Sequence, residues 1–200
     1  SLKNRKFTKV LIGWFIDVCN AQSQIGKICI VDEPYLYNRK AELGVETLAE
    51  EEIETIQRIS AEITRKVQRV MRAKGSSAVS LISWQHLSEE TPQWIKNEID
   101  AAFQKKGQFY IDTLQQVFHM KGYALTQKKL GEFAHFFLCE LPVLICAYYA
   151  DPIGIVDFYP GENSPILWKI ETGEYRSELP EISEFVERSG KLVYINVLPV

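Results

Sequence analysis

Lys27-Ile28-Cys29-Ile30-Val31-Asp32 is a short β-branched run, and Ala78-Val79-Ser80-Leu81-Ile82-Ser83 is a second. Between them, Thr47 to Lys74 reads as one long helix, stopped by Gly75-Ser76-Ser77. A buried strand, a helix and another strand in that order make a crossover unit, and its strands run parallel.

The rest of the chain extends this pattern. Phe7 to Ala21 has helical spacing, with Val10, Leu11, Trp14, Phe15 and Val18 on one side. Thr91-Pro92 signals a helix start, with Thr91 as cap and Pro92 at the first position, and helix continues through much of 93–118. A further helix spans Thr126 to Tyr149. Ile153 to Tyr159 is a strand, Glu181 to Arg188 a short helix, and Lys191 to Leu198 a last strand. The expected fold is α/β. Residues 1–200 would form one Rossmann-like domain, a parallel sheet flanked by helices.

Composition narrows the class. The 200 residues are 46% hydrophobic and 24% charged, which argues against disorder, collagen-like repeats and coiled-coil fibres. Cys19, Cys29, Cys139 and Cys146 all lie in apolar segments, as expected of reduced thiols in a cytoplasmic protein. No signal peptide is visible. The longest apolar run, Phe133 to Tyr149, is broken by His135, Glu140 and Pro142, so no membrane partner is expected. The sequence starts without Met, and upstream residues are expected to have been removed or left out. With 23 Lys+Arg against 26 Asp+Glu, the net charge is -3, which speaks against a nucleic-acid partner if charge is evenly spread.

It is not evenly spread. The long helix begins with Glu46, Glu50, Glu51, Glu52 and Glu54 and ends with Arg58, Arg65, Lys66, Arg69, Arg72 and Lys74. That order complements the helix dipole and stabilises the helix by itself. At about 100° per residue, Arg58, Arg65, Arg69 and Arg72 also fall in one narrow stripe. Ile56, Ile59, Ile63, Val67 and Val70 fall opposite. The apolar side is expected to be buried and the arginine stripe to face out as a phosphate-backbone contact.

Several chemistries lack their motifs. There is no Gly-x-Gly-x-x-Gly after a strand, no Gly-rich phosphate loop and no Gly-x-Ser-x-Gly elbow. His135, Cys139 and Cys146 share a helical face without a fourth ligand at suitable spacing, so no metal site is expected. Glu140 sits in an apolar segment, where a carboxylate is costly unless paired or functional. Both roles stay open. Pro142 removes a backbone hydrogen bond two residues later and can kink the helix. Asp157-Phe158-Tyr159-Pro160-Gly161 reads as a strand end and turn, where α/β domains place their sites.

Together these pieces resemble the cyclodipeptide synthases, from Ser1 to about Gly173. The likeness rests on the order and spacing of a Ser near the start, a basic long helix, Glu140-Leu141-Pro142, and a Tyr about twenty residues later. The resemblance implies a fold like the catalytic domain of class I tyrosyl- and tryptophanyl-tRNA synthetases. The synthetase motifs His-Ile-Gly-His and Lys-Met-Ser-Lys-Ser are absent, as in that family. It also implies that two aminoacyl-tRNAs are joined into a cyclic dipeptide, with no cofactor. Ser1 would be the nucleophile, with Phe7 at the family's spacing, and Glu140 and Tyr159 would be the other catalytic residues. Arg58, Arg65, Lys66, Arg69, Arg72 and Lys74 would hold tRNA.

Pro160 places the chain in the Tyr-Pro subgroup, although Asn4 stands where the other subgroup carries Asn. Val143 and Leu144 would wall the substrate pocket beside Asn4 and Pro160. Two departures stand out. Phe136 occupies the place of the family's first Tyr, and the family's strand before the serine is missing. These departures keep open an alternative, a catalytically impaired tRNA-binding module of the same fold. The chain is expected to be a monomer, with oligomeric state left open.

Overall fold

The computed structural model describes residues 5–22, 26–30, 36, 39–40, 42–75, 79–121, 126–150 and 164–189. Of these, 79% are helical, and that overturns the expectation of a Rossmann-like sheet flanked by helices. The described elements are α1 (Arg5–Gln22), β1 (Gly26–Ile30), α2 (Glu50–Lys74), β2 (Val79–Ser83), α3 (Trp84–Glu90), α4 (Gln93–Gln104), α5 (Gln108–Lys121), α6 (Gln127–Tyr149), α7 (Pro165–Glu171) and α8 (Pro180–Ser189). β1 and β2 pair in parallel, from Gly26 opposite Val79 to Ile30 opposite Ser83. Two short strands cannot form a layer with helices on both faces. The strands expected at 153–159 and 191–198 lie outside the described residues.

The residues gather into two compact units, 1–36 with 48–86, and 37–47 with 87–200. In the first, α1 and α2 pack on each other and flank the strand pair. The buried side of α1 is Phe15, Ile16 and Cys19, with Ile12 half-buried. Val10 and Trp14, expected on the core side, are exposed. They lie on the opposite side of the helix, since positions 12, 15, 16 and 19 form one arc and 10 and 14 another.

The second unit is all-helical in its described residues. Its core joins Ile95, Ile99, Phe109, Phe137, Leu141, Ile145 and Tyr149 to Ile166, Ile170, Tyr175, Leu179 and Ile182. These residues recur three and four apart, so helix buries against helix. α6 starts at Thr126, whose hydroxyl accepts from the Lys129 amide at 3.3 Å. It runs through Pro142 to Tyr149. It is long and apolar enough to cross a membrane by length and composition, and half of that stretch is buried in the protein. A core helix meets the same description.

The helix expected through 93–118 is two. Thr91 does not cap it; its hydroxyl donates to the Leu87 carbonyl at 2.7 Å, and Pro92 takes the cap position before Gln93. The break falls at Lys105–Gly107, where Lys106 has φ 54. The Glu178 carboxylate lies against Gly107 and accepts from the Phe109 amide at 3.2 Å, supplying the start of α5 with an acceptor. A Cβ at Gly107 would collide with that carboxylate. Glu98 serves α8 the same way, accepting from the Glu181 and Ile182 amides at 2.8 Å.

A polar seam on α5 organises the elements after it. Gln108, Asp112 and Gln116 recur every four residues on one face. The Asp112 carboxylate accepts from Lys169 Nζ at 2.7 Å, the Tyr175 hydroxyl at 2.7 Å and Gln108 Nε2 at 2.9 Å. Gln116 Oε1 accepts from the Ser164 hydroxyl at 3.0 Å and the Ile166 amide at 3.3 Å, fixing the start of α7. Burial pushes the Asp112 carboxyl up, but hydrogen bonds from Lys169, Tyr175 and Gln108 outweigh it and hold it below the usual carboxylate range. A depressed folded value means that stability is present above the unfolded value and lost as pH falls through the folded one.

We expect Asp112→Ala to cost about 2–3 kcal/mol in urea unfolding at pH 7, because it leaves a buried hydroxyl and an ammonium without their acceptor. The difference from the unsubstituted protein should shrink as the pH is lowered below about 4.

Candidate nucleic-acid interface

α2 carries the polarised charge pattern. From Glu50 to Glu62 it holds five acids and one base, and from Arg65 to Lys74 five bases and no acid. Its N-terminal cap is Ala49, with no side-chain acceptor. Glu50, Glu51 and Glu52 in the first turn meet the positive end of the helix dipole instead, and Arg72 and Lys74 meet the negative end. The helix stops at Gly75, whose φ of 61° and ψ of 29° are left-handed. Its amide donates back to the carbonyls of Arg72 and Met71. A Cβ there would meet nothing within 4 Å, so the backbone, not space, requires glycine.

The stripe faces as the spacing predicts. Arg58, Arg65, Arg69 and Arg72 are all exposed. Val67 on the opposite side is buried, and Ile56, Ile63 and Val70 are half-buried. Ile59 differs, at 37% exposure, because it sits at the edge of the apolar arc, about 100° from Arg58.

The six cations expected to form the dock are not equivalent. Lys74 Nζ binds Asp17 Oδ2 at 2.5 Å, and its stem passes 3.6 Å from where a Cβ on Gly13 would stand. Lys74 therefore clamps α2 to α1. Lys66 pairs with Glu62 at 2.5 Å on the same helix. Arg65 Nε donates to the Ala61 carbonyl at 3.2 Å. Arg58 has Glu54 and Glu62 one turn to either side, which lowers the potential it offers an anion. Arg69 and Arg72 have no ion pair among the described residues and, with Arg65, form a positive face. An open cavity of about 340 Å³ lies against this end, lined by Gln68, Met71, Arg72 and Gly75.

The residues expected to do chemistry belong to the other unit or lie outside the described residues. Ser1, Asn4, Tyr159 and Pro160 are outside. Phe136, Glu140 and Leu144 follow one another at four-residue spacing along α6, and all three are half-buried. Val143 is buried beside them in sequence. Glu140 thus lies at the edge of the core and not inside it. His135 Nε2 and Cys139 Sγ are 3.9 Å apart on the exposed side of α6. Burial, then the nearby charge of Asp100, raises the Cys139 thiol above its ordinary value and favours its protonated form. Among the described residues no three His, Cys, Asp or Glu side chains gather as a metal would need.

The polar seam Gln108, Asp112 and Gln116 escaped the sequence reading. Its spacing was visible, but nothing in α5 marks that side as facing the core. Compared with known proteins, the sequence matches no family model and no curated protein.

Replacing Gly75 with Ala should cost about 1 kcal/mol, because a Cβ in the left-handed region is strained even in open space. Thermal unfolding of the single variant measures it.

Proposed function

We propose that the chain is an aminoacyltransferase that joins the amino acids of two aminoacyl-tRNAs into a cyclic dipeptide. The observation that carries the RNA half of this reading is the exposed arginine face of α2, with no acid between Arg65 and Lys74. A phosphate backbone is the chemistry that such a face suits, and it needs no base readout. The catalytic half draws on the resemblance to cyclodipeptide synthases and on Glu140, a half-exposed carboxylate in an apolar helix. It does not draw on a Rossmann-like sheet, which the helical architecture excludes.

The scheme runs as two acyl transfers. The ester of aminoacyl-tRNA is already activated. The Ser1 hydroxyl attacks the ester carbonyl, the bond to the tRNA ribose oxygen breaks, and tRNA leaves with the proton. Glu140 holds the substrate ammonium and then accepts a proton as the amine becomes a nucleophile. The amine of the second aminoacyl-tRNA attacks the seryl ester, the bond to the Ser1 oxygen breaks, and the serine regains its proton as dipeptidyl-tRNA forms. The Ser1 hydroxyl then attacks the ester of that dipeptidyl-tRNA, and the second tRNA leaves with the proton. Attack of the free dipeptide amine on that seryl ester closes the ring and restores the serine. Tyr159 positions the aminoacyl group. Arg65, Arg69 and Arg72 hold the acceptor stem by its phosphates.

One residue favours a second reading, an RNA-binding module without acyl transfer. Phe136 lacks the hydroxyl that the family uses beside its Glu.

Expression of the full chain in bacteria should release cyclic dipeptides into the medium, read by mass spectrometry. Ser1→Ala should abolish them, and Phe136→Tyr should raise the yield. Binding of tRNA without any cyclic product would select the second reading. Changing Arg65, Arg69 and Arg72 together to Glu should weaken tRNA binding by at least about tenfold at 0.1 M salt, given three lost phosphate contacts. Unchanged affinity would overturn both.

A further inference from the structure

His135 and Cys139 stand one turn apart on α6, and both are exposed. Neither belongs to the core that α6 otherwise builds, whereas Cys146, further along the helix, packs against it. A free cysteine behaves as a small apolar residue and is usually buried, so packing accounts for Cys146 but not for Cys139. Four-residue spacing on a helix puts the two side chains on one face. His135 Nε2 and Cys139 Sγ are 3.9 Å apart. In the tautomer that carries its proton on Nδ1, the Nε2 lone pair is available at the thiol.

A metal ion can bridge that separation. Bonds to sulfur of about 2.3 Å and to nitrogen of about 2.0 Å meet across 3.9 Å at an angle of about 130°. A tetrahedral ion would draw the donors to about 3.5 Å and would need two further ligands. No third His, Cys, Asp or Glu gathers with this pair among the described residues. An ion that takes two ligands at a wide angle needs no third. A thiolate beside an imidazole suits a soft ion, and univalent copper has that character. The largest influence on the thiol is desolvation, and the next is the charge of Asp100 on α4, ahead of the opposing charge of Lys96. Desolvation penalises a bare thiolate, but a thiolate and a univalent cation together are neutral, and the field of Asp100 favours the cation.

We propose that His135 and Cys139 form a two-coordinate site for a soft univalent metal ion, copper(I). On binding, the Cys139 thiol gives its proton to solvent and its sulfur bonds the ion. The Nε2 lone pair of His135 makes the second bond, and no electron is transferred. The site lies on one helix of one chain and is independent of the RNA reading above.

The test uses the full chain under reducing conditions, with copper(I) supplied as its complex with a coloured chelator. The chain should withdraw one ion without a change of oligomeric state, and copper-edge X-ray absorption should show one sulfur and one nitrogen neighbour. His135→Ala should weaken binding at least about tenfold, Cys139→Ser should weaken it further, and Cys146→Ser should leave it unchanged. Both ligand positions are exposed, so these variants should keep the thermal unfolding midpoint of the unsubstituted chain. Equal affinity in His135→Ala would mean that a thiol acts alone, and would overturn the pair. So would one ion shared between two chains, or a loss in Cys146→Ser as large as that in Cys139→Ser.

Discussion

In the helical unit, one carboxylate settles where three elements go. Asp112 is buried on α5 and takes hydrogen bonds from its own helix, from α7 and from the turn that carries Tyr175. An ionised group in that position is tolerable only if every acceptor site is filled. Lys169 answers the charge, Tyr175 stacks edge-on against Phe109 with ring centroids 5.4 Å apart, and Gln116 fixes the start of α7 four residues further along the same seam. Moving any of these would leave a buried polar atom unmatched, so the packing of Ile166, Ile170 and Leu179 is set as much by polar matching as by apolar contact.

The other unit obeys a different rule. α2 buries a narrow apolar arc and leaves the rest of its circumference to charge. The acids and bases are sorted along its length, and this serves the helix itself as well as any anion near its end. Not every cation on it serves the same purpose. Lys74 is committed to Asp17 and Lys66 to Glu62, so the face that remains is narrower than a count of basic residues suggests. A mildly acidic protein can still present such a face, because net charge averages over regions that an approaching phosphate samples separately.

Helices are legible in the sequence to within a few residues wherever apolar periodicity is long, as in α2, α6 and α8. The fold class is not. Short β-branched runs such as 27–32 and 78–83 do form strands, and they pair in parallel, but one crossover unit does not extend into a layered sheet. Among the described residues, most of the buried apolar side chains belong to one core in which helix packs on helix. The break at Gly107 is hidden for another reason. It depends on Glu178, some seventy residues downstream, and local propensity carries no trace of so distant a partner. In the candidate site, exposure of the arginines follows from periodicity, while the commitment of Lys74 depends on a neighbouring helix. The place of Glu140 at the rim of the core likewise depends on which sides of α6 its neighbours cover.

The apolarity of α6 also matters before the protein is complete. Its 23 residues leave the ribosome after α4 and α5 but ahead of α8, which covers part of its surface in the finished unit. During that interval a segment with the length and composition of a membrane span is exposed on a growing chain. Whatever competes for nascent hydrophobic segments has its opportunity then, and the opportunity narrows as Ile182 and Val186 arrive. The order of synthesis thus leaves part of the burial of α6 to the last described helix of the chain.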